Sequence, residues 1–160
     1  MAGSSTPDAA RDVEFVAGSS VLFRTEALRQ VGFFDERFFA YHEDVDWCTR
    51  ARETGLRVTY APDAVVYHRH APGVGTPRAH PHLYYFYGRN AILYARKHAT
   101  RGQWAKLLSL SVVWLLGSIP RRILRGEPPG VVLRTAGFIL LGMADGLRNR
   151  GPRLKRIGLA

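Results

Sequence analysis

Only one cysteine, Cys48, stands among the 160 residues. A single thiol excludes an intramolecular disulfide framework and a cysteine-based zinc site, and it is compatible with a reducing compartment. Long hydrophobic runs are scarce too. The most apolar stretch, Leu107 to Ile119, falls short of the about 20 residues a comfortable membrane span needs, and the next, Val131 to Leu147, carries Arg134 and Asp145. The opening residues, Met1 to Pro7, are small and polar, so no secretory signal is expected. Internal repeats are absent. Acid is nearly missing from residues 101–160, where Glu127 and Asp145 face 11 Lys/Arg.

What is present is the balance of a folded protein, 46% hydrophobic and 22% charged. The net charge of +10 is unevenly spread. Residues 1–100 hold 12 Lys/Arg and 11 Asp/Glu, a net of +1, whereas residues 101–160 carry +9. All six histidines lie in the near-neutral part, with most of the side chains suited to chemistry. The basic part reads as a surface that meets anionic matter.

Residues 1–14 read as a flexible lead. Phe15–Ala17 and Val21–Phe23 are expected to be short extended pieces around a Gly18-Ser19-Ser20 turn. Thr25 is expected to cap a helix over Glu26–Val31 that Gly32 ends. A second helix, Asp44 to Thr54, follows from the three-residue spacing of Val45, Cys48 and Ala51, with Gly55 as its stop. Arg57–Tyr60 and Ala64–Tyr67 read as strands around a Pro62-Asp63 turn. Residues 69–82 are too rich in Gly and Pro for regular structure. Three helices are expected after that: Leu83–His98, Gln103–Ile119 ended by Pro120, and Val131–Leu147.

The chemistry concentrates in Gly32 to Arg50, GFFDERFFAYHEDVDWCTR. Glu43, Asp44 and Asp46 crowd beside His42 and Trp47. Carboxylates repel one another, so a cluster of this kind suits a general base, a metal or a polyhydroxyl ligand. The competing reading is an acidic first helical turn that the helix dipole favours.

In order and spacing, the segment resembles family 2 glycosyltransferases, especially the rhamnosyltransferase-like branch with the GT-A fold. The residues that carry the resemblance are Gly18-Ser19-Ser20, Arg24, Gly32-Phe33-Phe34-Asp35-Glu36, Phe39, Tyr41, Glu43-Asp44, Asp46, Arg50, Gly55, Tyr60-Ala61-Pro62 and Val66-Tyr67-His68. It extends over about residues 14 to 98. The fold class it implies is α/β, a partial GT-A (Rossmann-like) domain at 15–82, followed by basic, apolar C-terminal helices at 83–160.

The resemblance also implies roles. Asp44 would be the base that takes a proton from an acceptor hydroxyl attacking the anomeric carbon, with inversion and departure of a nucleoside diphosphate. Glu43, Trp47, Asp35, Gly18 and Ser19 would shape the acceptor side. His68 would complete the coordination of Mn²⁺ or Mg²⁺ on the donor diphosphate. His70, His80 and His82 are left as loop residues, and Asp44-Val45-Asp46 is not read as the nucleotide-binding D-x-D, because it lies inside the acceptor-side motif. The family's nucleotide-binding half has no counterpart ahead of Phe15, so a partner chain supplying it is one expectation.

Expected partners are a nucleoside diphosphate sugar, a saccharide or lipid-linked acceptor, and an anionic membrane surface at the cytoplasmic face, to which the chain would be peripheral. Two other classes compete. One is a non-catalytic basic module for membrane or nucleic acid; against nucleic acid, the charges alternate with apolar runs and no nucleic-acid motif is visible. The other is a metal-dependent hydrolase using His42, Asp44, Asp46 and His68, whose spacing fits no ligand template.

Overall fold

The computed structural model describes residues 9–67 and 83–157. Its elements run β1 (Arg11–Asp12), α1 (Thr25–Val31), a 3₁₀ turn (Glu36–Phe38), α2 (Glu43–Glu53), β2 (Thr59–Tyr60), α3 (Leu83–His98), α4 (Arg101–Leu124), α5 (Pro129–Leu147) and α6 (Leu154–Ile157). The chain divides into two compact units. The first comprises residues up to 36 together with 43–67; the second joins 37–42 to the helices from α3 onward.

In the first unit, β1 and β2 form a two-residue antiparallel ladder with Arg11 opposite Tyr60 and Asp12 opposite Thr59. Arg11 and Asp12, expected in a flexible lead, are therefore a paired strand, and Arg57 clasps Asp12 at 3.0 Å. The core is one face of α2, where Trp47, Cys48 and Ala51 are buried with Val58, and Phe23, Leu28 and Val31 pack around them. That face is the one the three-residue apolar spacing marked out. Gly32 and Gly55 end their helices at φ of 84° and 83°, a left-handed conformation glycine adopts without a Cβ penalty.

Several expectations are corrected. Thr25 lies one residue inside α1; Arg24 holds the extended cap position, with no side-chain cap bond. Phe15–Ala17 and Val21–Phe23 are irregular: among the described residues no strand lies alongside to complete a ladder. Ala64–Tyr67 is likewise no strand: Val65, Val66 and Tyr67 are exposed and unpaired in any sheet. Among the described residues the sheet is thus a short antiparallel ladder, and the architecture is mostly helical.

In the second unit α3 packs along α5. Their backbones approach so closely that a Cβ at Gly142 would overlap the Tyr85 carbonyl, and one at Gly88 would overlap that of Ile139. Buried Asp145 ties the unit together: it accepts from the Tyr85 hydroxyl at 3.1 Å and from Arg153 at 2.7 Å. Helix α4 starts at Arg101, because Thr100 and Gln103 close a reciprocal capping box. It also runs through Pro120, which was expected to end it. A proline inside a helix forfeits its own bond to the carbonyl four residues back and crowds that carbonyl with its ring, a local cost that the rest of the helix can absorb. The helix-forming run Arg121–Leu124 carries the helix on until Gly126, at φ 83°, where Arg122 clasps Glu127. By length and composition α4 and α5 could each cross a membrane, a property that core helices of soluble proteins share.

Candidate functional site

Helix α2 begins with the acidic cluster, and its side chains divide sharply by task. Asp46 is fully buried and bonded to Arg50 at 2.9 Å, one helical turn on. The Arg50 guanidinium also donates to the carbonyls of Val31 at 2.6 Å and Phe33 at 2.8 Å. Trp47 Nε1 donates to the carbonyl between them, Gly32, at 2.8 Å. Three successive carbonyls at the end of α1 are thus satisfied from α2, and these bonds fix the turn that leads to Asp35.

Trp47 is buried edge-on to Phe23, with centroids 4.5 Å apart, so its ring is core and any effect on an acceptor passes through the turn it holds. Asp35 is half-buried immediately before the 3₁₀ turn.

Glu43 and Asp44 have no such packing task. Asp44 Oδ2 accepts the Gly18 amide at 2.9 Å and Oδ1 accepts the Val45 amide at 2.8 Å. Each carboxylate oxygen carries two lone-pair directions, so two are spent and two remain. The turn at Gly18-Ser19 is exposed and closes through a bond from the Ser20 amide to the Ala17 carbonyl. A Cβ at Gly18 would lie 3.6 Å from Asp44 Cβ, an ordinary contact, so the amide rather than the absence of a side chain matters there. Glu43 is half-buried, and its Oε2 is buried without a hydrogen-bond partner among the described residues. Burial pushes its pKa above the ordinary 4.5; its own backbone amide opposes this, and the neighbouring Asp44 charge adds to it.

The segment before Glu43 belongs to the helical unit. Phe39, Tyr41 and His42 adopt φ of 62°, 65° and 71°. Each left-handed non-glycine residue costs about 1–3 kcal/mol and persists only when its surroundings enforce it. The enforcement comes from α3. Fully buried Asn90 donates Nδ2 to the carbonyls of Phe38, Ala40 and Tyr41 at 2.8, 2.6 and 2.8 Å. Arg89 donates to the Arg37 carbonyl at 2.7 Å and to Asn90 Oδ1 at 2.9 Å. Tyr41 stacks on Tyr87 at 4.6 Å. The sequence reading missed Asn90. The available signal was a polar pair, Arg89-Asn90, on a helix face otherwise made of Tyr85, Phe86, Ile92 and Leu93.

His68, His70, His80 and His82 lie outside the described residues. Among the described residues no three His, Cys, Asp or Glu side chains converge on one point, so no ligand set for a metal is assembled there.

The sequence model of the family described as "Glycosyl transferase family group 2" matches residues 4–144. The chain is 39% identical over 94 residues to an N-acetylglucosaminyl-diphospho-decaprenol L-rhamnosyltransferase of Mycobacterium tuberculosis, covering 59% of this chain and 30% of that protein. It is 43% identical over 58 residues to a pre-mycofactocin glycosyltransferase of the same organism, covering 36% of this chain and 12% of that protein. Rhamnosyltransferase WbbL of Escherichia coli is 40% identical over 50 residues, covering 31% and 19%. The chain therefore spans less than a third of the length of these relatives. No solved structure matches it.

Proposed function

Starting from the membership of this chain in glycosyl transferase family group 2, we propose that it forms the acceptor side of an inverting glycosyltransferase of the rhamnosyltransferase-like kind, with a GT-A fold. The donor is a nucleoside diphosphate sugar and the acceptor a saccharide carried on a lipid, used at the cytoplasmic face of a membrane to which the protein is peripheral. The acceptor hydroxyl oxygen bonds to the anomeric carbon from the face opposite the diphosphate. The bond from that carbon to the diphosphate oxygen breaks, and the hydroxyl proton passes to a carboxylate oxygen of Asp44.

One observation carries the assignment. Of the acidic residues of α2 between 43 and 46, Asp46 is consumed by Arg50, while Asp44 is anchored by two backbone amides with lone pairs to spare. Glu43 and the Gly18-Ser19 turn border it and would seat the acceptor; Asp35 and Trp47 would act by holding the turn before it. A divalent cation, Mn²⁺ or Mg²⁺, would neutralise the leaving diphosphate, and His68 is the ligand this reading assigns to it.

The test is sugar transfer from labelled UDP-, GDP- and dTDP-sugars to a lipid-linked saccharide, by this chain together with a partner that supplies the nucleotide-binding half. Asp44→Asn removes the proton-accepting carboxylate while keeping one side-chain oxygen for one of the two backbone amides, and it is expected to cut transfer by about 10²–10⁴-fold. Calorimetry with the free nucleoside diphosphates, with and without Mn²⁺, should show metal-dependent binding that weakens in His68→Ala. Undiminished transfer by Asp44→Asn would remove the base from this mechanism.

A further inference from the structure

Helix α4 is 24 residues long, and none of its described side chains is buried. Leu107 and Leu110 border an open groove that α4 forms with α3 and α5. The opposite side of the helix faces outward. Ser109, Leu116 and Ile123 follow one another at intervals of seven residues, so they share one line along it. Leu116 on that line is 71% exposed, and Val113 and Leu124 beside it are exposed as well. The Ser109 hydroxyl donates back to the Ala105 carbonyl, so its proton is spent within the helix.

Charge is confined to the two ends of α4. Arg101 and Lys106 stand at one end, Arg121, Arg122 and Arg125 at the other, and residues 107–120 between them carry none. That uncharged stretch reaches about 21 Å, short of the about 30 Å of hydrocarbon in a bilayer. Around the axis, the three arginines lie about 120–180° from Leu116, away from the outward line. Both ends are basic, so both are drawn to the same anionic surface.

The neighbours of α4 also oppose a crossing. Residues 99–100 lead into it from α3, and residues 125–128 lead out of it to α5. Helices α3 and α5 are packed backbone to backbone at Gly88 and Gly142. If α4 crossed, these two could stay together only by crossing with it. They would then carry Arg89, Arg134 and Asp145 into hydrocarbon, where charge is costly.

We propose that α4 is an in-plane anchor. It lies flat in the headgroup region of one anionic leaflet, with Ser109, Leu116 and Ile123 as its deepest line and the arginines among the phosphates. The choice of a bilayer rests on the reading of the chain as peripheral to a membrane. The side of α4 that enters, and its angle, follow from the helical unit alone.

The test measures depth. Ser109→Cys, Leu116→Cys and Ile123→Cys, made one at a time, each carry an environment-sensitive dye on vesicles rich in anionic phospholipid. Cys48 is buried and stays unlabelled. An in-plane helix sets all three dyes about 5–10 Å deep, so lipid brominated near the headgroup should quench them within about twofold of one another. Lipid brominated near the chain end should quench them less. A crossing helix would instead separate successive dyes by about 10 Å in depth. Leu116→Glu changes an exposed position. It should leave thermal stability unaltered and weaken vesicle binding at least about tenfold at high salt, where the arginines are screened.

Quenching graded along the helix, bound protein with no dye quenched, or vesicle binding indifferent to Leu116→Glu would each overturn the proposal. Each of these leaves the protein on the membrane. Failure to bind any vesicle would overturn the peripheral reading itself, and the anchor with it.

Discussion

At the scale of single residues, one motif divides into supports and chemistry. Asp46, Trp47 and Arg50 share a helix with Glu43 and Asp44, yet they spend their polar atoms on neighbouring carbonyls and on each other. Glu43 is the residue left in tension, with an unpartnered buried oxygen and a pKa raised chiefly by burial. A raised acid binds its proton more tightly folded than unfolded. Glu43 therefore leaves stability intact below its ordinary 4.5 and erodes it as pH climbs through the folded value. Glu43→Gln removes the charge while keeping the shape. It is expected to flatten the fall of stability just above that pH and to gain on the order of 1 kcal/mol at neutral pH, the scale of an orphaned buried acceptor. Thermal melts of both proteins across pH 4 to 8 (a range chosen to bracket about one carboxyl titration) check this. Curves that stay parallel would mean that Glu43 is solvated.

Elements show what the sequence could and could not convey. Helix α3 was legible at both ends, Leu83 and His98, because its apolar repeat and basic last turn are local signals. The glycine stops at Gly32 and Gly55 were equally local. Ala64–Tyr67 was misread because its β-branched residues express a preference that only a neighbouring strand can satisfy. Pro120 misled because the cost of a lost hydrogen bond was weighed without the Arg122–Glu127 clasp beyond it. At the site, Glu43 and Asp44 were visible as letters. The clamp on residues 37–42 was not, since it depends on contacts between positions some 50 apart in sequence.

That clamp makes its own prediction. Asn90→Ala deprives three carbonyls of their donor and should cost roughly 2–4 kcal/mol. Gly142→Ala, which forces α5 from α3, should cost a similar amount. The two separate in local order. At temperatures where both variants are fully folded, Asn90→Ala releases the left-handed segment 37–42, whose amides should exchange about 10–100-fold faster. Gly142→Ala should leave most of that protection in place. Equal losses would reduce Asn90 to a stability residue.

The whole molecule is polarised in charge, with +9 of its +10 in residues 101–160. In the same stretch Leu108, Leu110, Val113 and Leu116 of α4 and Leu133 and Leu140 of α5 are exposed. Basic groups interleaved with exposed aliphatic side chains suit a bilayer surface, where arginines reach headgroups and leucines enter the acyl boundary. Nucleic acid would use the charges and leave the leucines in water. The two outcomes differ in their response to salt. Binding to vesicles rich in anionic phospholipid should be strong at low ionic strength and weaken as salt screens the arginines. It should then level off at a residual that the apolar contacts sustain. Binding to duplex DNA would instead fall steadily on a logarithmic salt scale towards nothing. Cosedimentation with anionic and zwitterionic vesicles, alongside a DNA shift assay over the same salt series, distinguishes them. A steep, complete loss on DNA with no vesicle association would turn the basic helices into a nucleic-acid surface. A residual on anionic vesicles would keep the basic helices as a membrane-facing surface.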